Sequence, residues 1–296
     1  MFSPDRHADG PLRPLPESGP VSGSPSPRPA ASGFATVGLV GFGAFGRLIV
    51  RCAPPGARFL VHDPRPLGET GANVAAASLA EVAACPLVVL AAPVDATAGI
   101  CRLLAPHLRP GTLVTDVGSV KVKPAAAMLD NLPAHVEVAG LHPLFGPQSA
   151  AGGVAGLRLV VCPLRGRRVM RLAALLRRAC GLVVLFATPE EHDREMAMVQ
   201  GVTHMVGRLV AELDPAGDAA RSRMATRSFS LLMQAVEMVR HDDPAVFDAI
   251  VLRNPHVAGV QDRFFEAAAA LRRRIRAGRR AQLRPSMRRP VQSSFS

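Results

Sequence analysis

Tryptophan and tyrosine are missing from all 296 residues, and lysine occurs only at positions 121 and 123. Without those two rings the chain has few of the stacking platforms on which single-stranded nucleic acids rest. No apolar run approaches the roughly 18 residues that a membrane span needs. The N-terminus also lacks the basic-then-apolar order of a secretory signal. Five cysteines (Cys52, Cys85, Cys101, Cys162 and Cys180) are scattered, with no C-x-x-C pair. They form neither a disulfide framework nor a metal-ligand pattern, so reduced thiols in a cytoplasmic protein without a metal are expected.

The net charge of +12 suggests a polyanion partner, but most of it is local. Residues 272–296 carry nine arginines and no acid. Without them the balance is about +3, ordinary for a soluble enzyme. The segment 278–296 reads as a solvated, disordered tail, and neither nucleic acid nor a membrane is an expected partner. Residues 1–32, with eight prolines and six serines, cannot offset their ordering entropy and are expected to be disordered as well.

Between the tails the chain is organised by one glycine-rich turn. The apolar run Thr36–Val40 ends in Gly41-x-Gly43-x-x-Gly46, and helical spacing follows. Gly41 permits a sharp turn, Gly43 lets a pyrophosphate approach, and Gly46 lets the helix lie close to a sheet. A second apolar run, Arg58–His62, ends in Asp63, close to the spacing of a carboxylate that bonds an adenosine ribose. Dinucleotide binding is therefore expected at Gly41, Phe42, Gly43, Ala44, Phe45, Gly46 and Asp63, with Ala92-Pro93 after a third strand. Asp63 favours NAD, and Arg65 two residues on keeps NADP open.

Further apolar runs at 87–91, 112–116, 136–140, 157–161 and 182–186 alternate with helical stretches. That pattern means a Rossmann-type α/β domain over 33–187, a doubly wound and mostly parallel sheet. From Thr188, which with Glu191 forms a capping box, helical periodicity continues to about 277. Asp214-Pro215, Asp242-Asp243-Pro244 and Asn254-Pro255 divide it into roughly four helices. Apolar residues occupy more than one face around Met196–Val210 and Phe229–Val239. A single layer hardly covers them, so 188–277 is expected to be an all-helical substrate and dimerisation domain of a homodimer.

Two strand ends carry candidate chemistry. One is followed by Asp116-Val117-Gly118-Ser119-Val120-Lys121, the other by His142-Pro143-Leu144-Phe145-Gly146-Pro147. Against 33 arginines, Lys121 looks chosen for a ligand. Ser119 either caps a helix starting near Val120 or presents its hydroxyl to a ligand, and the roles can coexist. An imidazole such as His142 supplies a base near neutrality, as oxidation of a carbinol requires.

These stretches, with Glu191-His192-Asp193-Arg194-Glu195-Met196-Ala197 through His204, resemble the prephenate and arogenate dehydrogenases of tyrosine biosynthesis over about residues 35–265. The resemblance implies NAD(P)-dependent oxidative decarboxylation of prephenate to 4-hydroxyphenylpyruvate, or of arogenate to tyrosine. It makes His142 the residue that takes the ring-hydroxyl proton and Ser119 the hydroxyl that touches substrate and cofactor. It makes His204 a second histidine of the substrate pocket. Gln200 lies on the same helix face as His204, whereas His192 and Asp193 read as helix-start residues with no catalytic part. The chain departs from the family at Gln148, where many members are acidic. It departs again at Ser230, near an arginine of some members that Arg227 would have to replace. Two other readings remain: a β-hydroxyacid dehydrogenase or imine reductase, although no lysine lies on the first helix of the second domain, and a non-catalytic NAD(P)-binding protein.

Overall fold

The computed structural model describes residues 34–213, 222–240 and 242–282. The expected tail 1–32 lies outside the described residues, as does most of 278–296.

The described chain begins with β1 (Thr36–Val40), α1 (Ala44–Arg51), β2 (Arg58–His62), β3 (Val74–Ala76), α2 (Leu79–Ala83) and β4 (Leu87–Leu90). It continues with α3 (Thr97–Leu104), β5 (Leu113–Asp116), α4 (Val122–Asn131) and β6 (Glu137–Pro143). The sheet is completed by β7 (Arg158–Arg165), α5 (Arg168–Cys180) and β8 (Val183–Phe186). Among the described residues these form one eight-stranded sheet in the order β3-β2-β1-β4-β5-β6-β7-β8. Every pairing is parallel except β6 with β7. This is the doubly wound, mostly parallel sheet that alternating strands and helices require.

Strands buried on both faces read as continuous apolar runs. Leu39, Val89, Leu113 and Val161 belong to the core on one face, and Val40, Val88, Leu90 and Val114 to the core on the other. The unforeseen strand, β3, is three half-buried to exposed residues at the sheet edge, too short for an apolar period. The short helix after it, α2, is started by a Ser78–Glu81 capping box.

After β8, among the described residues, only helices follow: α6 (Pro189–Leu213), α7 (Arg227–Arg240), α8 (Pro244–Asp248), a π-helical turn over Ala249–Arg253, and α9 (Val257–Gln282). The Thr188 hydroxyl accepts from the Glu191 N–H while the Glu191 carboxylate accepts from the Thr188 N–H, which starts α6 where the capping box placed it. Helix α9 passes the expected end at 277 and runs on to Gln282. Among the described residues no helix is long and apolar enough to cross a membrane.

Candidate active site

The β1–α1 turn is built as a phosphate cradle. Gly41 has φ +97°, and a side chain there would collide with the Ala91 carbonyl at the end of β4. Only glycine adopts that backbone without strain. Gly43 differs in kind: the nearest atom to a Cβ built on it is the Arg65 guanidinium, 4.0 Å away. Nothing in the protein itself requires glycine at 43, whereas a pyrophosphate lying on the turn does. Helix α1 has no side-chain cap, so its first-turn N–H groups remain for an anion. The turn thus fits a dinucleotide, with Phe42, Ala44 and Phe45 around it and Ala92-Pro93 beyond β4.

Asp63, at the end of β2, accepts the Phe42 N–H at 2.7 Å and the Arg65 N–H at 2.9 Å, and Arg65 Nε lies 3.2 Å away. Burial alone raises its carboxyl, but these donors outweigh burial and bring it below the usual carboxylate value. The acid therefore braces the glycine turn and keeps its negative charge.

Three strands along, about 14 Å at the usual inter-strand spacing, the ends of β5 and β6 carry the second half of the site. Lys121, which the sequence offers as a substrate contact, is buried and bonded within the protein. Its Nζ lies 2.5 Å from Asp116 Oδ2 and donates to the Leu141 carbonyl at 2.7 Å. The stem lies over Gly140, where a Cβ would approach its Cδ to 2.9 Å. Burial pushes the Asp116 carboxyl up against the pull of Lys121. Lys121 thus neutralises a buried acid and ties the ends of β5 and β6 together.

His142, 3% exposed near the end of β6, is linked to α6 through two more side chains. Its Nδ1 lies 2.7 Å from His192 Nε2, and His192 Nδ1 lies 2.7 Å from Asp193 Oδ1. The Asp193 carboxylate also accepts the N–H groups of Lys121 (2.7 Å) and Val122 (2.9 Å), and its backbone carbonyl accepts from the Asn254 amide at 2.7 Å. Asp193 therefore caps α4, the role sequence had offered to Ser119. Ser119 is left half-buried in the turn between β5 and α4.

The tautomers follow from this chain. An ionised carboxylate only accepts, so His192 carries its proton on Nδ1 and turns a lone pair toward His142. His142 then carries its proton on Nδ1, which leaves Nε2 as the free base, 3.4 Å from the Gln200 amide nitrogen. Gln200 Oε1 is buried with no partner among the described residues. Burial, reinforced by His192 and Lys121, holds the His142 ring well below the ordinary imidazole value of 6.5. The ring is neutral at neutral pH.

The structure thus unites His142 with Gln200, and with a pair that sequence had set aside. His192, Met196, Gln200 and His204 follow one another at steps of four, which turn only about 40° each around a helix. That spacing was the signal for His192. His204 lies one turn beyond Gln200, buried, with Nδ1 2.9 Å from the Gln200 carbonyl and Nε2 3.3 Å from Asp242. Gln148, between β6 and β7, and Arg227, the first residue of α7, are exposed and are not among the side chains bonded to His142.

A family model described as the prephenate dehydrogenase nucleotide-binding domain matches residues 67–177, and one described as the dimerization domain of prephenate dehydrogenase matches 188–289. The chain is 27% identical over 204 residues to a probable arogenate/prephenate dehydrogenase of Methanocaldococcus jannaschii, covering 66% of this chain and 44% of that protein. It is 26% identical over 254 residues to the chloroplastic arogenate dehydrogenase 1 of Arabidopsis thaliana, covering 81% and 39% respectively. It therefore spans less than half the length of these curated relatives. Among solved structures, prephenate dehydrogenase of Aquifex aeolicus in complex with hydroxyphenyl propionate and NAD+ shares the fold, with a TM-score of 0.60 at 21% identity over 84% of this chain and 93% of that one.

Proposed function

The chain belongs to the prephenate dehydrogenase family, and we propose that it oxidatively decarboxylates a cyclohexadienol of the prephenate or arogenate class with NAD as oxidant. The observation that carries this reading is the buried chain from His142 Nδ1 through His192 to Asp193, which leaves His142 Nε2 toward Gln200. His142 is a buried, neutral base whose tautomer is set from behind, at the same sheet edge as a glycine turn that fits a dinucleotide.

NAD would lie with its pyrophosphate on Gly41–Gly46 and its adenosine toward Asp63, and Arg65 is the residue through which NADP would be accommodated. When bound, NAD would supply the hydride acceptor for the ring carbon that bears the hydroxyl. His142 Nε2 accepts the proton of that hydroxyl, and Gln200 Oε1, without a partner among the described residues, holds the hydroxyl or its neighbour in place. Ser119 reaches the ligand from the turn after β5. The ring carboxylate leaves as CO2, drawn by aromatisation, and the proton returns from His142 to the resulting phenolate oxygen. His204, Gln148 and Arg227 are assigned to the outer substrate contacts.

A second copy of the chain is assigned to the exposed apolar residues of the helices, including Met198 and Val199 on α6, Leu231 and Met238 on α7, and Leu271 and Ile275 on α9. An apolar surface of this extent marks an association site.

The test is His142→Asn. Removing a general base costs on the order of 10²–10⁴ in turnover, so kcat should fall by at least about 100-fold while cofactor affinity is retained. Turnover within a few-fold of the parent, with either substrate, removes the assignment.

A further inference from the structure

The reading of His142 as base leaves a physical problem that the surrounding residues answer. A ring this buried resists becoming an imidazolium. A base that cannot hold a positive charge gains little by taking a proton. Two charged or titratable groups act on it directly: Lys121, itself paired with Asp116 at the end of β5, and His192. Behind His192 lies Asp193, fully buried, whose carboxylate is met by His192 Nδ1 and by the Lys121 and Val122 N–H groups.

We propose that His192 and Asp193 form a proton relay that carries the charge away from His142 during the reaction. The inference rests on the assignment of His142 as base. As the substrate O–H bond breaks, its proton forms an N–H bond at His142 Nε2. The N–H bond at His142 Nδ1 breaks, and that proton forms a bond at His192 Nε2, 2.7 Å away. His142 stays neutral, and the positive charge rests on His192, whose Nδ1–H faces the Asp193 carboxylate at 2.7 Å. The electron pair that leaves the substrate as hydride goes to the nicotinamide. When CO2 departs, both proton shifts reverse and the phenolate oxygen recovers its proton.

Two features of the geometry suit a loan of this kind. Both side chains of the His192–Asp193 pair have no solvent exposure, so the relay ends inside the protein and has no path to bulk water. The overall reaction releases no proton, so none is needed. Asp193 also spans the two halves of the site, since its carboxylate caps α4 on the sheet side while its own backbone belongs to α6. The relay is thus complete only when helix and sheet are packed together, and His192 and Asp193 are positioning residues acting through His142.

The test compares His192→Gln with the parent, using the full chain. A glutamine accepts from His142 Nδ1–H and donates toward Asp193, so the His142 tautomer survives while the second proton site is lost. The expected result is a fall in kcat of about 100-fold, the lower range for general-base effects, with cofactor affinity and melting temperature unchanged. The acid limb of the kcat profile moves to lower pH, because the ring left to titrate is His142 alone. Nitrogen-15 NMR of histidine-labelled parent protein without cofactor supplies a readout independent of turnover and of the variant's folding. Nδ1 should be protonated on both His142 and His192, and Nε2 of His142 should not.

A kcat within twofold of the parent and an unmoved acid limb would overturn the relay, as would an NMR spectrum with the proton on His142 Nε2. If His142→Asn is inactive in that case, the base assignment stands and only the relay fails. Activity surviving His142→Asn removes the base itself.

Discussion

His142 is neutral because it is buried, and this gives pH dependence a definite sign. The folded ring lies well below 6.5, and an unfolded one near it. Above about 6.5 both states are neutral and the ring contributes nothing to the pH dependence of stability. Below it the unfolded chain takes a proton that the folded chain refuses, so stability falls with pH until the folded value is reached. Urea unfolding above and below pH 6.5 should show a smaller loss in His142→Asn than in the parent. Gly43 yields a second test at this scale. Since a Cβ there meets only open space and the tip of Arg65, Gly43→Ala should leave the melting temperature unchanged and weaken cofactor binding roughly 10-fold or more. Equal cofactor affinity in parent and variant would sink the dinucleotide placement. His142 and the glycines were legible in the chain because a motif beside a strand announces itself. Rarity singled out Lys121 as a ligand contact but gave no sign of its pairing with a buried acid five residues away.

The elements show why some of the site was hidden from sequence. Strands β1, β4 and β5 are buried on both faces and read directly as apolar runs; β3, short and on the edge, carries no such signature. The cap of α4 comes from Asp193, more than seventy residues on, and no local rule for helix starts finds a partner at that distance. His192 and Asp193 looked like residues opening a helix, which they also are. The Lys121–Asp116 pair ties β5 to β6 in a dry interior, and breaking a buried pair by removing one partner costs about 3–5 kcal/mol. Lys121→Met should therefore lower the urea midpoint strongly. The exposed, bidentate contact of Arg253 with Asp95 joins the π-helical turn to the loop after β4. Arg253→Ala should leave the urea midpoint almost unmoved, since exposed pairs contribute little. If the two substitutions were equally mild, the buried pair would not be the tie described here.

At the scale of the whole molecule, the sheet carries the cradle and the base, while the helices carry what lies behind the base. Just after the π-helical turn Asn254 holds the Asp193 carbonyl of α6, while Arg253 at its end reaches Asp95 beyond β4, so this turn is tied both to α6 and to the sheet side of the site. The apolar faces left on α6, α7 and α9 imply a dimer of about twice 31.1 kDa in sedimentation, and a charge on α9 through Leu271→Glu should shift it toward monomer. A monomeric parent at micromolar concentration would contradict the proposed pairing. The measurement closest to the central claim remains turnover itself. Formation of reduced nicotinamide, followed by absorbance, should be compared for the parent and His142→Asn with prephenate and with arogenate, each with NAD and with NADP. The expected result is turnover by the parent with at least one combination and a loss of at least about 100-fold in the variant, with cofactor still bound. No turnover by the parent in any combination, or a variant as fast as the parent, would contradict the account.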